Sequence, residues 1–309
     1  MKVAIVGAGA MGSLFGALLA EGGHEVWLCD IWQEHIDAVK QNGLTIEREG
    51  QTRNVRLNAA SDPGQIGSSE LVLIFVKSTQ TGSAAETAAL LAGRSGWVMT
   101  LQNGMGNAEI IAEHLPSNRI LAGTTAHGAT LLEAGSIRHA GAGATTVGMW
   151  AGAEKEFQIA RQIADQFTQA GIESTAVESV RPVIWDKLIV NVGINAITAL
   201  TGIKNGQILD LESSRELSRA AVEEAAAVAH ALGIEVREDA VDHVFQVAAA
   251  TASNRSSMGQ DVDHHRPTEI NAINGFVVRE ASRVGLSAPV NQTLSALVET
   301  IQAHYREQD

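Results

Sequence analysis

Two groups of residues in this chain have types and spacings suited to chemistry. The first is Gly7-Ala8-Gly9-Ala10-Met11-Gly12, with Asp30 eighteen residues beyond Gly12. The pattern G-x-G-x-x-G suits a diphosphate. Gly7 permits a tight turn, Gly9 lets backbone approach the anion, and Gly12 lets a helix pack closely on a strand. The free N–H groups and dipole of a helix opening at this point favour negative charge. An acid at the end of the next strand is placed to bond a ribose 2′-hydroxyl. Residues 7–12 and Asp30 are therefore expected to hold a dinucleotide.

The second group is Lys187, Asn191 and Asn195, spaced i, i+4, i+8 so that they share one helix face. Leu188, Val192 and several Ile residues cover much of the remaining surface. A stripe of one Lys and two Asn is costly to bury without partners. A merely solvated face is the competing explanation, but Asn is a poor helix former and outer faces more usually carry Glu, Lys or Arg. Ser256-Ser257-Met258-Gly259-Gln260-Asp261 and Thr268-Glu269 add further polar groups. By themselves they read as a loop and a helix start, with Pro267 and Glu269 suited to a first turn.

The elements that position these residues follow from hydrophobic patterning. Lys2–Val6 reads as a strand, Ser13–Glu21 as a helix ended by Gly22-Gly23, and His24–Cys29 as a second strand closing on Asp30. Further on, Gln33–Asn42 reads as a helix and residues 44–57 as a hairpin. Leu71–Val76 and Gly96–Leu101 read as buried strands, with a helix over Ala84–Leu91 between them. Lys77 follows the first of these strands, and Gln102-Asn103-Gly104-Met105-Gly106 follows the second. Ile120–Thr124 is another strand, the stretch 125–148 is rich in Gly, Ala and Thr, and Glu156–Ala170 is an amphipathic helix. Strand and helix alternate to about residue 178, which predicts a Rossmann-like, doubly wound parallel sheet. Such sheets bind ligands at the carboxyl ends of their strands, where Gly7, Asp30, Lys77 and Asn103 fall.

Beyond residue 178 only helices are expected: 183–199, 213–232 with Ser213 and Glu216 as a capping box, 238–252, 268–284 and 291–305. The reading is an α/β fold in two domains. Residues 1–178 form the dinucleotide-binding domain and 179–309 an all-α domain carrying substrate and catalytic residues, with the cleft between them as the expected substrate site.

Bulk composition narrows the ligand classes. A chain of 309 residues with 45% apolar and 18% charged residues has ample material for a core. The net charge of −13 argues against nucleic acid and anionic membranes as partners, and obliges any anion site to supply its own positive potential. No uninterrupted apolar run is long enough to span a bilayer. Four glycines interrupt the apolar N-terminal stretch, against a secretory signal. The one cysteine, Cys29, forbids an intramolecular disulfide and suits a reducing, cytoplasmic setting.

Taken together, the motifs resemble those of the 2-dehydropantoate 2-reductase (ketopantoate reductase) family. The matching pieces are GAGAMG at 7–12, Lys77 after VLIFV, QNGMGN at 102–107, GTTAHGAT at 123–130, WDKLIVNVGINAITA at 185–199, and SSMGQD with TE between 256 and 269. They cover nearly the whole chain in family order. The resemblance implies reduction of an α-keto acid, 2-dehydropantoate, to pantoate by hydride from NAD(P)H. It assigns Lys187 as general acid. Glu269 would bind the substrate hydroxyl and assist the Lys, while Asn191, Asn195 and Ser257 would hold substrate polar groups. Asn103 and Lys77 would line the cofactor and active sites. The chemistry is coherent: a ketone that accepts hydride develops alkoxide charge and needs a donor at that oxygen. A Lys with an ordinary pKa of about 10.4 is a weak acid that burial or a carboxylate can tune.

Competing classes fare worse. Short-chain dehydrogenases need a Tyr-x-x-x-Lys pair, and the one tyrosine is Tyr305. One Cys and no H-E-x-x-H leave little for a metal dehydrogenase, and Asp261, Asp263, His264 and His265 read as a solvated loop rather than a metal site. His127 and His139 read as structural. The runner-up is an NAD-dependent D-2-hydroxyacid dehydrogenase of the same superfamily. A non-catalytic dinucleotide-binding regulator is a remoter alternative that the polar stripe disfavours. Asp30 and Glu34, with no Lys or Arg before Lys40, predict NADH over NADPH unless Arg53 or Arg56 reaches the 2′-phosphate. A homodimer is compatible with the sequence, although no feature forces one.

Overall fold

The computed structural model describes residues 1–152 and 154–305, without the side chains of 154 and 155. The chain separates into two compact units. One is Met1–Gln102 with Asn107–Val180, and the other is Asn103–Gly106 with Arg181–Asp309.

The first unit opens with β1 (Lys2–Val6), α1 (Ala10–Glu21), β2 (Glu25–Cys29), α2 (Gln33–Asn42), β3 (Leu44–Arg48), β4 (Gln51–Val55) and β5 (Asn58–Ala60). It continues with β6 (Leu71–Ile74), α3 (Thr81–Ala92), β7 (Trp97–Thr100), α4 (Asn107–Ala112), β8 (Ile120–Thr125), β9 (Gly128–Glu133), β10 (Ser136–Gly141), β11 (Thr145–Met149), α5 (Glu154–Gln169) and β12 (Ser174–Ala176). The main sheet has the order β12-β11-β8-β7-β6-β1-β2-β5. Its strand order reverses between β1 and β6, which is where a doubly wound sheet opens a ligand crevice. The β1–β2 and β1–β6 pairings are parallel, with Val6 opposite both Cys29 and Ile74.

Two features depart from the all-parallel expectation. β11 runs antiparallel to β8, so the sheet is mixed at that side. The predicted hairpin of β3 and β4 joins β10 and β9 in a separate four-stranded sheet, order β4-β3-β10-β9, through a parallel β3–β10 pairing. Sequence alternation locates such strands but carries no information on which distant strand each will pair with. Beneath the main sheet, Leu14, Phe15, Leu18 and Leu19 of α1 pack with Ile163, Ala164 and Phe167 of α5 in one core.

The second unit holds α6 (Val180–Thr201, whose first residue groups with the other unit), α7 (Glu212–Ala231), α8 (Ala240–Ala250), α9 (Ser257–Asp263), α10 (Asn274–Arg283) and α11 (Pro289–Tyr305). By length and composition α6 could cross a membrane, but 61% of its most apolar window is buried inside the fold. It is a core helix, held by Trp185 packing edge-on against Phe276 with ring centres 5.8 Å apart.

Three local expectations are corrected. The predicted capping box at Ser213 and Glu216 is absent: α7 is preceded by Leu211, and the nearby Ser214 hydroxyl turns back to the Ile208 and Leu211 carbonyls. The stretch expected as one helix from 268 to 284 is a 3-10 turn, Ile270–Ala272, followed by α10, with a break at Ile273 (φ −106°, ψ −98°). Finally, the segment read as a loop around Ser257 is a helix. Ser256 caps it by accepting from Gly259 N–H at 2.9 Å.

Candidate active site

In the first unit the glycine-rich turn has the shape its sequence demands. Gly7 has φ +98°, and a Cβ there would lie 2.6 Å from the Val76 nitrogen. A Cβ on Gly12 would lie 1.9 Å from the Gly7 oxygen, so the helix start and the turn must touch. At Gly9, by contrast, nothing lies within 4 Å of a Cβ position, and that side of the loop is open. Ala8 is buried, while Ala10 and Met11 are half-buried at the start of α1. The first turn of α1 contains no acid, and its leading N–H groups have no intrahelical acceptor. An exposed glycine beside free helix N–H groups fits a diphosphate.

Asp30 follows β2 and sits close to this turn. Its carboxylate accepts from the Ala8 N–H at 2.6 Å and from the Trp32 N–H at 2.9 Å. A cavity of about 280 Å³ opens beside it at the carboxyl ends of β1 and β2, lined by Gly7, Asp30, Ile31, Ser61, Gln80 and Ser83 among others. No Lys or Arg side chain is among the described residues lining it. Arg53 is held by the Glu21 carboxylate at 2.8 and 3.1 Å, and Arg56 donates to the Gln41 carbonyl at 3.0 Å. Lys77 is half-buried at the entry to a 3-10 turn, Ser78–Gln80, and is not among the residues lining the cavity. Ser61, Gln80 and Ser83 escaped sequence reasoning because each lies in a turn or on a helix face without a motif of its own.

The second unit gathers the other candidates. On α6, Lys187 and Asn191 are half-buried and Asn195 is 5% exposed. The stripe is therefore not a solvated face. Burial pushes the Lys187 ammonium down to about 8, and the Glu269 charge pulls in the opposite direction. Glu269, only 6% exposed, accepts from the Asn103 side-chain amide at 3.2 Å. Asn103 reaches it because the loop after β7 is pinned to the Glu269 segment: Met105 N–H donates to the Ala272 carbonyl at 2.9 Å. Gly104, with φ +78°, lets the two backbones approach, since a Cβ there would lie 2.4 Å from the Ala272 oxygen.

Ser257 is exposed at the start of α9, and its hydroxyl is 3.5 Å from the Asn195 amide, the outer limit of a hydrogen bond. Its neighbours anchor α9 to α6. Thr198 donates to Ser256 Oγ at 2.7 Å, and Arg255 bonds the Thr198 and Ile203 carbonyls while gripping Asp263. Arg255 carries no motif signal, and Thr198, although inside the 185–199 motif, is not singled out from it. Lys187, Asn191, Asn195, Asn103, Glu269 and Ser257 thus belong to one unit, and the glycine loop, Asp30 and Lys77 belong to the other.

The groups considered for other chemistry are otherwise engaged. Asp261 pairs with Arg266 at 3.3 Å and His264 bonds the Gln260 carbonyl. His127 and His139 are not isolated histidines but a stacked pair, with ring centres 5.4 Å apart and nitrogens at 3.2 Å. Cys29 is buried and its thiol is pushed up to about 11, chiefly by burial, as an inert strand residue should be.

Comparison with known proteins relates both units to one family. Residues 3–152 match the family described as "Ketopantoate reductase PanE/ApbA", and residues 179–302 match its C-terminal counterpart. A 2-dehydropantoate 2-reductase of Halobacterium salinarum is 41% identical, covering 98% of this chain and 99% of its own. Among solved structures, a PanE/ApbA family ketopantoate reductase from Ralstonia eutropha is 32% identical with a TM-score of 0.91, covering 99% of this chain and 100% of its own. A D-mandelate dehydrogenase solved with NADH and anilino(oxo)acetate is 27% identical with a TM-score of 0.92, covering 99% of each chain. Matched across both units, and at full length by relatives of this identity, the chain belongs to the ketopantoate reductase family.

Proposed function

We propose that this protein reduces 2-dehydropantoate to pantoate, with Lys187 as the general acid and NADH as the preferred reductant. The observation that carries the reading is a half-buried lysine, Lys187, lowered to about 8 by desolvation while the charge of Glu269 opposes that shift, within a polar stripe of asparagines. At neutral pH such a lysine still holds its proton yet gives it up far more readily than an exposed one. Residues 7–12 would hold the nicotinamide cofactor, whose chemistry when bound would be to supply the hydride. Lys187 donates a proton to the carbonyl oxygen as negative charge develops there, and its own positive charge stabilises that oxygen beforehand. Glu269, oriented by the Asn103 amide, accepts a hydrogen bond from the substrate hydroxyl. Asn191, Asn195 and Ser257 offer neutral donors and acceptors to the remaining oxygens, and Lys77 contributes positive charge near the nucleotide.

The NADH preference rests on Asp30. It lies beside the cavity at the strand ends, and no basic side chain among the described residues lines that cavity. The two arginines considered for a 2′-phosphate are bonded elsewhere. A 2′-phosphate would meet like charge at Asp30. The test is kcat/KM for both cofactors: NADPH favoured by about tenfold, or about 1.4 kcal/mol, would remove Asp30 from cofactor selection.

A second reading, oxidation and reduction of a bulkier 2-hydroxy acid, is favoured by the likeness to D-mandelate dehydrogenase with NADH. It makes the same use of Lys187 and differs in the substrate side chain. A panel of keto acids separates the two.

A further inference from the structure

The glycine-rich loop is braced from behind by a buried relay. His35 on α2 is fully buried, as is Ser13 on α1. The Gly135 N–H points at His35 Nδ1 at 3.0 Å. An N–H donor there requires Nδ1 to be unprotonated, so the imidazole is neutral and carries its proton on Nε2. Nε2 lies 3.2 Å from Ser13 Oγ, and Ser13 Oγ donates to the Ala8 carbonyl at 2.8 Å. The direction is therefore fixed at every link: Gly135 N–H to His35, His35 N–H to Ser13, Ser13 O–H to Ala8. Burial lowers the proton affinity of His35, in keeping with a neutral ring, although Asp30 pulls the other way.

The relay ends on the middle residue of G-x-G. Ala8 is gripped on both sides, its carbonyl by Ser13 and its N–H by Asp30. Asp30 also accepts from the Trp32 N–H, and the Trp32 ring stacks on His35 with centres 5.1 Å apart. Ala8, Asp30, Trp32, His35 and Ser13 thus form a closed circuit around the loop and the acid that would meet the ribose. Gly135 ties the circuit to the turn between β9 and β10.

We propose that His35 and Ser13 are positioning residues for the dinucleotide: they fix the Ala8 peptide, and through it the loop amides and Asp30, in the orientation that receives diphosphate and ribose. The proposal rests on the reading of residues 7–12 as the NADH site. Without the Ser13 donor, the Ala8 carbonyl loses its restraint and must find another partner, and the loop amides are free to turn away.

Two substitutions at His35 separate the halves of the relay. Glutamine can place an N–H where Nε2–H lies and still donate to Ser13. Asparagine can keep an acceptor for Gly135 but cannot reach Ser13. NADH affinity is read by fluorescence titration, with melting temperature and steady-state kinetics alongside. Ser13→Ala and His35→Asn should each raise Kd for NADH by about tenfold, with kcat and the keto-acid KM within about twofold of wild type, as loss of one buried hydrogen bond in the nucleotide site predicts. His35→Gln should restore affinity to within about threefold of wild type. Unchanged affinity in Ser13→Ala and His35→Asn would overturn the proposal. So would equal losses in both His35 variants that follow melting temperature, since that pattern describes packing alone. Failure of the wild type to bind either nicotinamide cofactor would overturn the NADH-site reading itself, and the relay's purpose with it.

Discussion

The proposed reaction gives Lys187 the most demanding role for a single side chain. Replacing it with Ala should lower kcat by about 10²-fold or more while NADH affinity stays near wild type. Single-turnover rates and fluorescence titration check the two halves of that statement. Its lowered proton affinity also predicts a pH profile. Below about 8 the ammonium is present to donate, and above it the proton is gone. kcat/KM for reduction should therefore fall by about tenfold per pH unit above that point, and the falling limb should vanish in Lys187→Ala. A limb that survives the substitution would belong to another group. Glu269 is tested by chemistry rather than by charge. A site built to bond a substrate hydroxyl rejects an analogue without one, so Glu269→Ala should harm 2-dehydropantoate more than 2-keto-3-methylbutyrate. Equal losses on both would confine Glu269 to supporting Lys187.

Individual elements explain why some residues were legible and others not. The stripe on α6 could be read because helix periodicity alone puts residues four apart on one face, and because asparagine is a poor choice for either core or surface. The brace on that helix could not. Ser256 caps α9 and meets Thr198 across a gap of 58 residues in sequence, and no local pattern encodes that meeting. The break at Ile273 was equally hidden, since Thr268 to Val284 contains no proline to interrupt it and tertiary contacts override propensity. Asn103 illustrates the same limit. Its motif follows a strand of the first unit, yet the loop clusters with the second, pinned by Met105 and admitted by Gly104. Gly104→Ala should therefore disturb the Asn103–Glu269 contact, because the added carbon meets backbone and the φ of +78° disfavours it. The expected result is a fall of about tenfold or more in kcat/KM for the keto acid with NADH affinity little changed. Wild-type kinetics would mean that Asn103 does not orient Glu269.

For the whole molecule, the fingerprint and the shift from alternating strands and helices to helices alone were enough to anticipate an α/β unit followed by an all-α unit. They could not anticipate the four-stranded side sheet or the antiparallel β11, because pairing between distant strands is settled by packing rather than by period. The charge of the molecule has a functional consequence. At a net −13 the protein repels anions at long range, so the proposed sites must draw two anionic ligands by local donors: helix N–H groups for the nucleotide and Lys187 for the keto acid. The proposed cofactor choice rests on the same local field. Asp30→Ala together with Ile31→Arg removes a charge and adds its opposite beside the cavity, and should move the kcat/KM ratio toward NADPH by about tenfold or more. An unmoved ratio would mean that the ribose is read elsewhere.

On the proposed function, this molecule uses Lys187 to reduce 2-dehydropantoate with NADH. The most direct test follows NADH oxidation at saturating cofactor, comparing kcat/KM for 2-dehydropantoate with that for the keto acid of mandelate in the wild type and in Lys187→Ala. Wild type should favour 2-dehydropantoate by about tenfold or more, and the variant should lose about 10²-fold on it. A preference for the aryl keto acid, or a Lys187→Ala enzyme that keeps its rate, would contradict the proposed function.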